Sequence, residues 1–192
     1  EVVSDSVFSK ISDTCTPQGV LCVLKQFHYN IEEMLRDKAP LFLLLENIQD
    51  PGNLGTMLRT GEGAGVSGII MSRDTVDLYN PKVIRSTMGS IYRVPFYYAD
   101  DFAAAVHQVQ QAGVSVYAAH LRGKNSYACQ DYTKGTAFLI GNEGNGLREE
   151  TAELADCYIR IPMEGKVESL NAAVASSILM YEAHRQRATI EK

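Results

Sequence analysis

Phe138-Leu139-Ile140-Gly141-Asn142-Glu143-Gly144-Asn145-Gly146-Leu147 is the stretch whose reading decides the fold. An apolar run ends abruptly on a loop of glycine and small polar residues. Related junctions recur downstream at Ile159-Arg160-Ile161-Pro162-Met163 and at Glu168-Ser169-Leu170-Asn171-Ala172-Ala173, the last running into a helix rich in small residues. Loops of this composition at the ends of buried strands are where α/β proteins bind ligands. With Asn53 and Arg59 upstream, the three loops read as a cofactor cradle beside a catalytic arginine.

Outward from these loops, strands and helices alternate. Leu41 to Leu45 is a continuous apolar run, the pattern of a strand buried on both faces. Asp50-Pro51-Gly52-Asn53 is a turn that can cap a helix from about Leu54 to Ala64, with Asn53 itself a good cap residue. Strands are predicted at Gly68 to Met71, Val94 to Tyr98, Val114 to Ala119, Thr136 to Ile140 and Tyr158 to Ile161. Asn80-Pro81 has the cap-then-proline signature of a helix from Lys82 to about Met88. Asp101 to Gln111 carries Phe102, Val106 and Val109 on one helical face. Arg148 to Leu154 reads as a short helix, and Leu170 to about Arg187 as a long one. This alternation predicts an α/β fold, a mostly parallel sheet with helices on both faces. Near the start, Val20 to Leu24 reads as a short strand behind the turn Thr16-Pro17-Gln18-Gly19.

A length of 192 residues suits one main domain with an extra segment. The longest apolar run is far too short to span a bilayer, and no secretory signal precedes it. Cys15, Cys22, Cys129 and Cys157 form no CxxC pair, so they read as reduced thiols of a cytosolic protein. His28, His107, His120 and His184 lack ligand spacing, and no structural metal is expected. The net charge of -5 argues against a general nucleic-acid coat but leaves room for a local patch. Arg73, Lys82, Arg85 and Arg93 outnumber Asp74 and Asp77, and Arg122 with Lys124 forms a second small cluster. On charge alone both read as solvated surface.

Each site candidate has a plain reading when taken singly. The loop at Gly141 has glycines spaced G-x-x-G-x-G, which is neither a Rossmann fingerprint nor a P-loop. Alone it is a turn that needs positive φ. Glu143 alone is a surface carboxylate, Arg59 an exposed helix arginine, and Ser169 and Asn171 caps for the long helix.

In combination the pieces are specific. Glu46-Asn47-Ile48-Gln49-Asp50-Pro51-Gly52-Asn53-Leu54-Gly55 continuing to Arg59, then Leu139 to Leu147, then Ile161-Pro162-Met163 with Ser169-Leu170-Asn171-Ala172-Ala173-Val174-Ala175, stand in the order of three motifs. The chain thereby resembles the TrmH/SpoU family of the SPOUT superfamily over about residues 40 to 187. The resemblance implies an S-adenosylmethionine-dependent RNA 2′-O-ribose methyltransferase acting on rRNA or tRNA, with rRNA favoured. It implies a sheet whose C-terminal part forms a trefoil knot around the cofactor, and a homodimer with the active site at its interface. Residues 40–192 would be the methyltransferase domain, and 1–39 a linker and remnant of an N-terminal RNA-binding domain.

The same resemblance assigns Asn53, Arg59, Glu143, Ser169 and Asn171 to the polar active-site set. It gives cofactor contacts to Ala119, His120, Leu139, Gly141, Asn142, Gly144, Ile161, Met163, Ser169 and Leu170. His120 departs from the small or hydroxylated residue expected there. A sulfonium methyl is already activated, so no metal is needed and alignment of the ribose hydroxyl dominates. Glu143 is the better base by ordinary acidity, because Arg59 holds its proton to a pKa above ~12. Electrostatic stabilisation of the developing alkoxide is the favoured role for Arg59, with proton relay left open. Two rivals are a catalytically silent RNA-docking relative and a nucleotide-dependent oxidoreductase. The intact polar set speaks against the first, and the missing G-x-G-x-x-G after Leu45 against the second.

Overall fold

The structure, a computed structural model, describes residues 1–12 and 14–190. Its centre is a seven-stranded sheet in the order β3-β2-β1-β6-β4-β7-β5. The strands are β1 (Leu41–Leu45), β2 (Gly68–Ser72), β3 (Phe96–Ala99), β4 (Ser115–Ala119), β5 (Asn125–Ser126), β6 (Thr136–Ile140) and β7 (Cys157–Arg160). Every pairing is parallel. β6 enters late in the chain yet sits between β1 and β4, running from Leu41 opposite Thr136 to Leu45 opposite Ile140.

All five residues of β1 are buried, as are all five of β6. Alternation sends them to two cores. Leu41, Leu43 and Leu45 meet α3 (Pro51–Ala64) and α7 (Ala172–Ile190), through Leu54, Met57, Leu58, Leu179, Met180 and Ala183. Phe42 and Leu44 face the other layer, where α5 (Phe102–Gln111) contributes Ala105, Val106 and Val109, and α6 (Glu149–Ala152) contributes Ala152. The remaining α-helices among the described residues are α1 (Asp5–Ile11), α2 (Ile31–Met34) and α4 (Pro81–Ser86), with short 3-10 helices at Ser90–Tyr92 and Tyr127–Cys129.

Some of the small residues of α7 serve its packing against α3. Ser177 Oγ, which donates to Ala173 O at 2.6 Å, lies 3.4 Å from Thr60 Oγ1, and a Cβ on Gly63 would lie 3.0 Å from the Tyr181 hydroxyl. Arg187, in the last turn of α7, donates to four carbonyl oxygens: Tyr132 (2.9 Å), Ala39 (2.8 Å), Pro40 (3.2 Å) and Lys134 (2.7 Å). It thus ties the segments that enter β1 and β6 to the end of the chain's last helix.

Three expectations are corrected. Val20 to Leu24 forms no strand. It meets no sheet edge, and Val20, Leu21, Val23 and Leu24 are all exposed. The segment regains contact only at Phe27, whose N–H and carbonyl both bond the Tyr79 hydroxyl, and at Tyr29, which meets Phe96 edge to face. The cap of α3 is Asp50 rather than Asn53: its carboxylate accepts from Asn53 N at 2.7 Å, and Pro51 supplies the first turn. The long helix starts two residues later than expected, capped by Asn171, which accepts from Ala173 N (2.9 Å) and Val174 N (3.2 Å). Among the described residues no helix is long and apolar enough to cross a membrane.

Candidate functional site

The carboxyl ends of β4, β6 and β7 and the loops that leave them enclose a cavity of about 620 Å³. Its lining includes Ile140, Ile159 and Ile161, the first two almost wholly buried, together with the small residues Ala119, Ala172 and Ala175. The wall carries Arg160 and three carboxylates, Glu143, Glu164 and Glu168.

The glycine-rich loop is a closed ring. Asn142 N donates to Gly146 O at 3.1 Å and Gly146 N to Asn142 O at 2.9 Å. Inside the ring Asn142 Oδ1 accepts from Gly144 N (2.9 Å) and Asn145 N (3.0 Å), while Nδ2 donates to Asn47 O at 2.8 Å. Asn142 is therefore the spine of the loop and its anchor to the end of β1. Gly146, at φ 70°, lets the ring turn back on itself. The ring also dictates Gly141: a Cβ there would sit 2.2 Å from both Gly146 C and Leu147 N. The excluded side chain would strike the loop's own backbone, so the glycine is required before any ligand is considered.

Glu143 leaves this ring and reaches back to α3. Its Oε1 accepts from Asp50 N and from Asn53 Nδ2, both at 3.0 Å, and its Oε2 from Gln49 N at 3.1 Å. Asn53 Oδ1 in turn accepts from Asn171 Nδ2 at 2.9 Å. A single chain of hydrogen bonds thus joins the loop after β6, the start of α3 and the start of α7. Partial burial pushes the Glu143 carboxyl up, but the bonds from Asn53, Gln49 and Asp50 outweigh it and hold the group below the usual carboxylate range. A carboxylate so committed is a clamp, which argues against the base role its ordinary acidity suggests.

A second clamp lies behind the loop. Glu46, at the end of β1 and 1% exposed, accepts from Arg148 N at 2.8 Å and from Thr151 Oγ1 at 2.5 Å. Arg148 also pairs with Asp74, so the residue after Leu147 is tied to the ends of both β1 and β2. The sequence reading gave Glu46, Arg148 and Thr151 no role. The available signal was a carboxylate closing a wholly apolar strand.

The structure gathers most of the expected residues. Ala119, His120, Gly141, Asn142, Gly144, Ile161, Met163, Ser169 and Leu170 line the cavity with Glu143, and Asn53 and Asn171 form the adjoining network. Leu139 does not line it: its side chain is fully buried in the core on the α5 side of the sheet. Arg59 is exposed on α3, six residues after Asn53 and hence about 120° round the helix from it at ~100° per residue. It has no hydrogen-bond or salt-bridge partner among the described residues and does not line the cavity. Three members of the two basic clusters, which read as solvated surface in the sequence, are ion-paired. Arg73 pairs with Asp100 at 2.9 Å, Arg93 with Glu62, and Arg122 with Glu149. Among the described residues no group of three or more His, Cys, Asp or Glu is arranged to hold a metal ion.

With this geometry in place, the comparisons are specific. The model of the SpoU rRNA Methylase family matches residues 40–181. The 23S rRNA (guanosine(2553)-2′-O)-methyltransferase RlmP of Bacillus subtilis is 35% identical over 180 residues, covering 94% of this chain and 70% of that protein. An AdoMet-bound rRNA methyltransferase from Sinorhizobium meliloti superposes with a TM-score of 0.85 at 36% identity, over 95% of this chain and 70% of that one. The SpoU methyltransferase AviRb from Streptomyces viridochromogenes, in complex with AdoMet, gives a TM-score of 0.78 at 31% identity and 83% coverage of this chain. The match spans 62% of AviRb's solved length in that complex, less than two thirds.

Proposed function

This chain belongs to the SpoU rRNA methylase family, and from that membership we propose that it methylates a ribose 2′-hydroxyl of RNA, rRNA before tRNA, using S-adenosylmethionine. The observation that carries the reading is the cavity at the ends of β4, β6 and β7, set beside the Asn53–Glu143–Asn171 network. The lining suits the cofactor. A nucleoside suits a cavity whose lining includes Ile161, Pro162 and Leu170 beside small residues, and the carboxylates of Glu164 and Glu168 suit a cationic ligand. When bound, S-adenosylmethionine supplies a methyl group activated by its sulfonium centre.

The chain's own residues then divide the work. The ring at Gly141, with Ile161 and Leu170, holds the adenosine portion by backbone and apolar contact. Glu143 fixes Asn53 and Asn171, so that these amides present a fixed polar edge where α3 and α7 begin. Ser169 faces the same cavity. Arg59 meets the ribose or its phosphate and stabilises the oxyanion as the hydroxyl proton leaves. Because Arg59 stands outside the cavity of its own chain, a homodimer that brings two such surfaces together belongs to this reading. So does a cytoplasmic location. Residues 1–39 serve as a linker and the end of an RNA-binding segment, consistent with the exposed run at Val20 to Leu24 and the docking at Phe27. A C-terminal trefoil knot accords with the late insertion of β6 between β1 and β4.

The test combines calorimetry and methyl transfer. S-adenosylmethionine and S-adenosylhomocysteine should bind and raise the melting temperature, whereas NAD should do neither, since only a ligand of the native state stabilises it. Labelled methyl should appear as 2′-O-methylribose in rRNA. Binding without transfer to any RNA would leave a cofactor-binding, catalytically silent module in place of the enzyme.

A further inference from the structure

We propose that the turn between β4 and β5, together with Arg160 beside it, grips the backbone phosphates that flank the target nucleotide, through Arg122, Lys124 and Arg160. The proposal rests on the RNA ribose-methylation reading above and adds to it the surface over which the RNA strand passes.

The fold brings together two stretches that lie far apart in sequence. The turn folds onto the last residues of β7: His120 N donates to Ile159 O at 3.0 Å, and Gly123 N to His120 O at 2.9 Å. A Cβ on Gly123 would lie 2.7 Å from Ile159 C, the atom bonded to Arg160 N. The backbone between Arg122 and Lys124 therefore rests directly against the peptide that enters Arg160. Lys124 leads into β5, whose Asn125 and Ser126 stand opposite Ile159 and Arg160. The sheet faces agree as well. Tyr158 packs toward the α5 and α6 layer, and Arg160, two residues on, shares its face by alternation. The His120 ring meets Tyr158 at a centroid distance of 5.1 Å, and the Arg122 guanidinium reaches Glu149 at the head of α6, in the same layer.

The three cations are exposed and largely uncompensated. Lys124 and Arg160 have no partner among the described residues, in a chain where 23 acidic residues outnumber 18 basic ones. Arg122 has Glu149, with Glu153 also within electrostatic reach. The side chains of that ion pair are 58% and 60% exposed, and a pair so solvated contributes little, so a phosphate oxygen can replace the carboxylate. The planar guanidinium forks of Arg122 and Arg160 match phosphate geometry.

The reaction fixes where phosphates must pass. His120, Leu121 and Arg160 line the cavity. A ribose whose 2′-hydroxyl is presented there carries a phosphate on each side, so the backbone crosses the cavity mouth. The loop after β7 offers Glu164 and Glu168 against one cation, Lys166, which suits the cationic cofactor and repels an RNA strand. The turn offers the opposite sign. Arg122 and Lys124 stand as a small cluster in the sequence, and only the fold adds Arg160 to them.

The experiment measures binding of labelled single-stranded oligouridine across a salt series, and methyl transfer to an unmodified rRNA transcript. The proteins are wild type, Arg160→Gln, Lys124→Gln, the double variant and Lys134→Gln. Lys134 stands at the entry to β6, the opposite end of the parallel sheet, and controls for loss of charge alone. Thermal melts and calorimetry with S-adenosylhomocysteine check that fold and cofactor affinity stay at wild-type values. Each of the two site variants should make the log–log salt slope shallower by about 0.7 and bind about fivefold more weakly at roughly 0.1 M salt, since a slope of that size acts over the decade below ~1 M. The double variant should show both losses, KM for the rRNA should rise by a similar factor with kcat little changed, and Lys134→Gln should match wild type. Slopes equal to wild type in both site variants, or a loss that Lys134→Gln shares, would overturn the proposal, and wild-type methyl transfer would leave the methylation reading standing. Weaker S-adenosylhomocysteine binding in Arg160→Gln with an unchanged RNA slope would reassign that residue to the cofactor and also overturn it. If wild type neither bound S-adenosylhomocysteine nor methylated the transcript, the methylation reading would fall, while the oligouridine slopes would still decide whether these cations meet phosphates.

Discussion

Replacing Glu143 separates a clamp from a base. The carboxylate accepts three hydrogen bonds, at 3.0, 3.0 and 3.1 Å, from Asp50 N, Asn53 Nδ2 and Gln49 N. Bonds to a charged acceptor contribute roughly 1.5–3 kcal/mol each when well shielded. Glu143 is solvent-exposed, so solvent screening brings each one down to about 0.5–1 kcal/mol. Glu143→Ala should then destabilise the protein by about 2 kcal/mol, which for a chain of this size lowers the melting temperature by roughly 4–8 °C. Glu143→Gln keeps one oxygen but turns an amide NH₂ toward backbone and side-chain N–H groups, so it should lose about 1–2 kcal/mol.

The pH dependence has a definite sign. The folded-state pKa of Glu143 is lowered, so its contribution is present above the unfolded value near ~4.3 and is lost as pH falls through the lower folded value. The melting difference between wild type and Glu143→Gln should be full at neutral pH and vanish in acid. Scanning calorimetry across pH, alongside single-turnover methyl transfer, reads both quantities. A Glu143→Gln protein with wild-type melting temperature at pH 7 and a hundredfold slower transfer would refute the clamp and return the residue to the role of base.

Other perturbations probe other parts of the site. Arg59→Ala should slow methyl transfer by about 100- to 1,000-fold while leaving S-adenosylmethionine affinity unchanged in calorimetry, because the side chain lies outside the cavity; near-normal activity would remove it from the mechanism. Gly141→Val should lower the melting temperature and cofactor affinity together, because its side chain collides with Gly146 and Leu147 backbone; lost affinity with unchanged stability would mean that the glycine serves the ligand alone. Arg187→Met should cost about 2–4 kcal/mol in denaturant unfolding, since four carbonyls lose their shared donor; a loss under ~0.5 kcal/mol would show that water replaces it fully. Asp100→Asn frees Arg73 from its ion pair, and if RNA crosses this face the log–log salt slope of binding should steepen by about 0.7 to 0.9; an unchanged slope would place the RNA elsewhere.

Much of the scaffold was legible because its signals are local. Leu41 to Leu45 and Thr136 to Ile140 are unbroken apolar runs, and a strand buried on both faces has no other way to look. Asn80-Pro81 marks the start of α4 by chemistry confined to two residues. Val20 to Leu24 has the same apolar character but no sheet edge to join, and availability of a partner is not written in the segment itself. The two-residue strand at Asn125–Ser126 fails in the opposite direction: polar and short, it exists because β7 offers an edge beside it. Sequence order likewise could not place β6 between β1 and β4, since which neighbours a strand meets is not written in the strand itself.

The site divides along the same line. The polar set could be named from motif order, yet roles depend on which atom of each side chain is already engaged. Asn53 and Asn171 both look like helix caps; only Asn171 is one, and Asn53 is free to bridge Glu143 and Asn171 because Asp50 caps α3 in its place. Glu143 looks like a base until its three donors are counted. Asn142 looks like a ligand contact until its amide is found bonded within its own loop and to Asn47. In each case the engaged atoms fix the geometry, and what remains unengaged is what chemistry can use. By that criterion Arg59, with no partner among the described residues, stays available for the role proposed for it, as does Arg160 at the cavity itself, and Glu143 is what holds the amides beside the cavity in place.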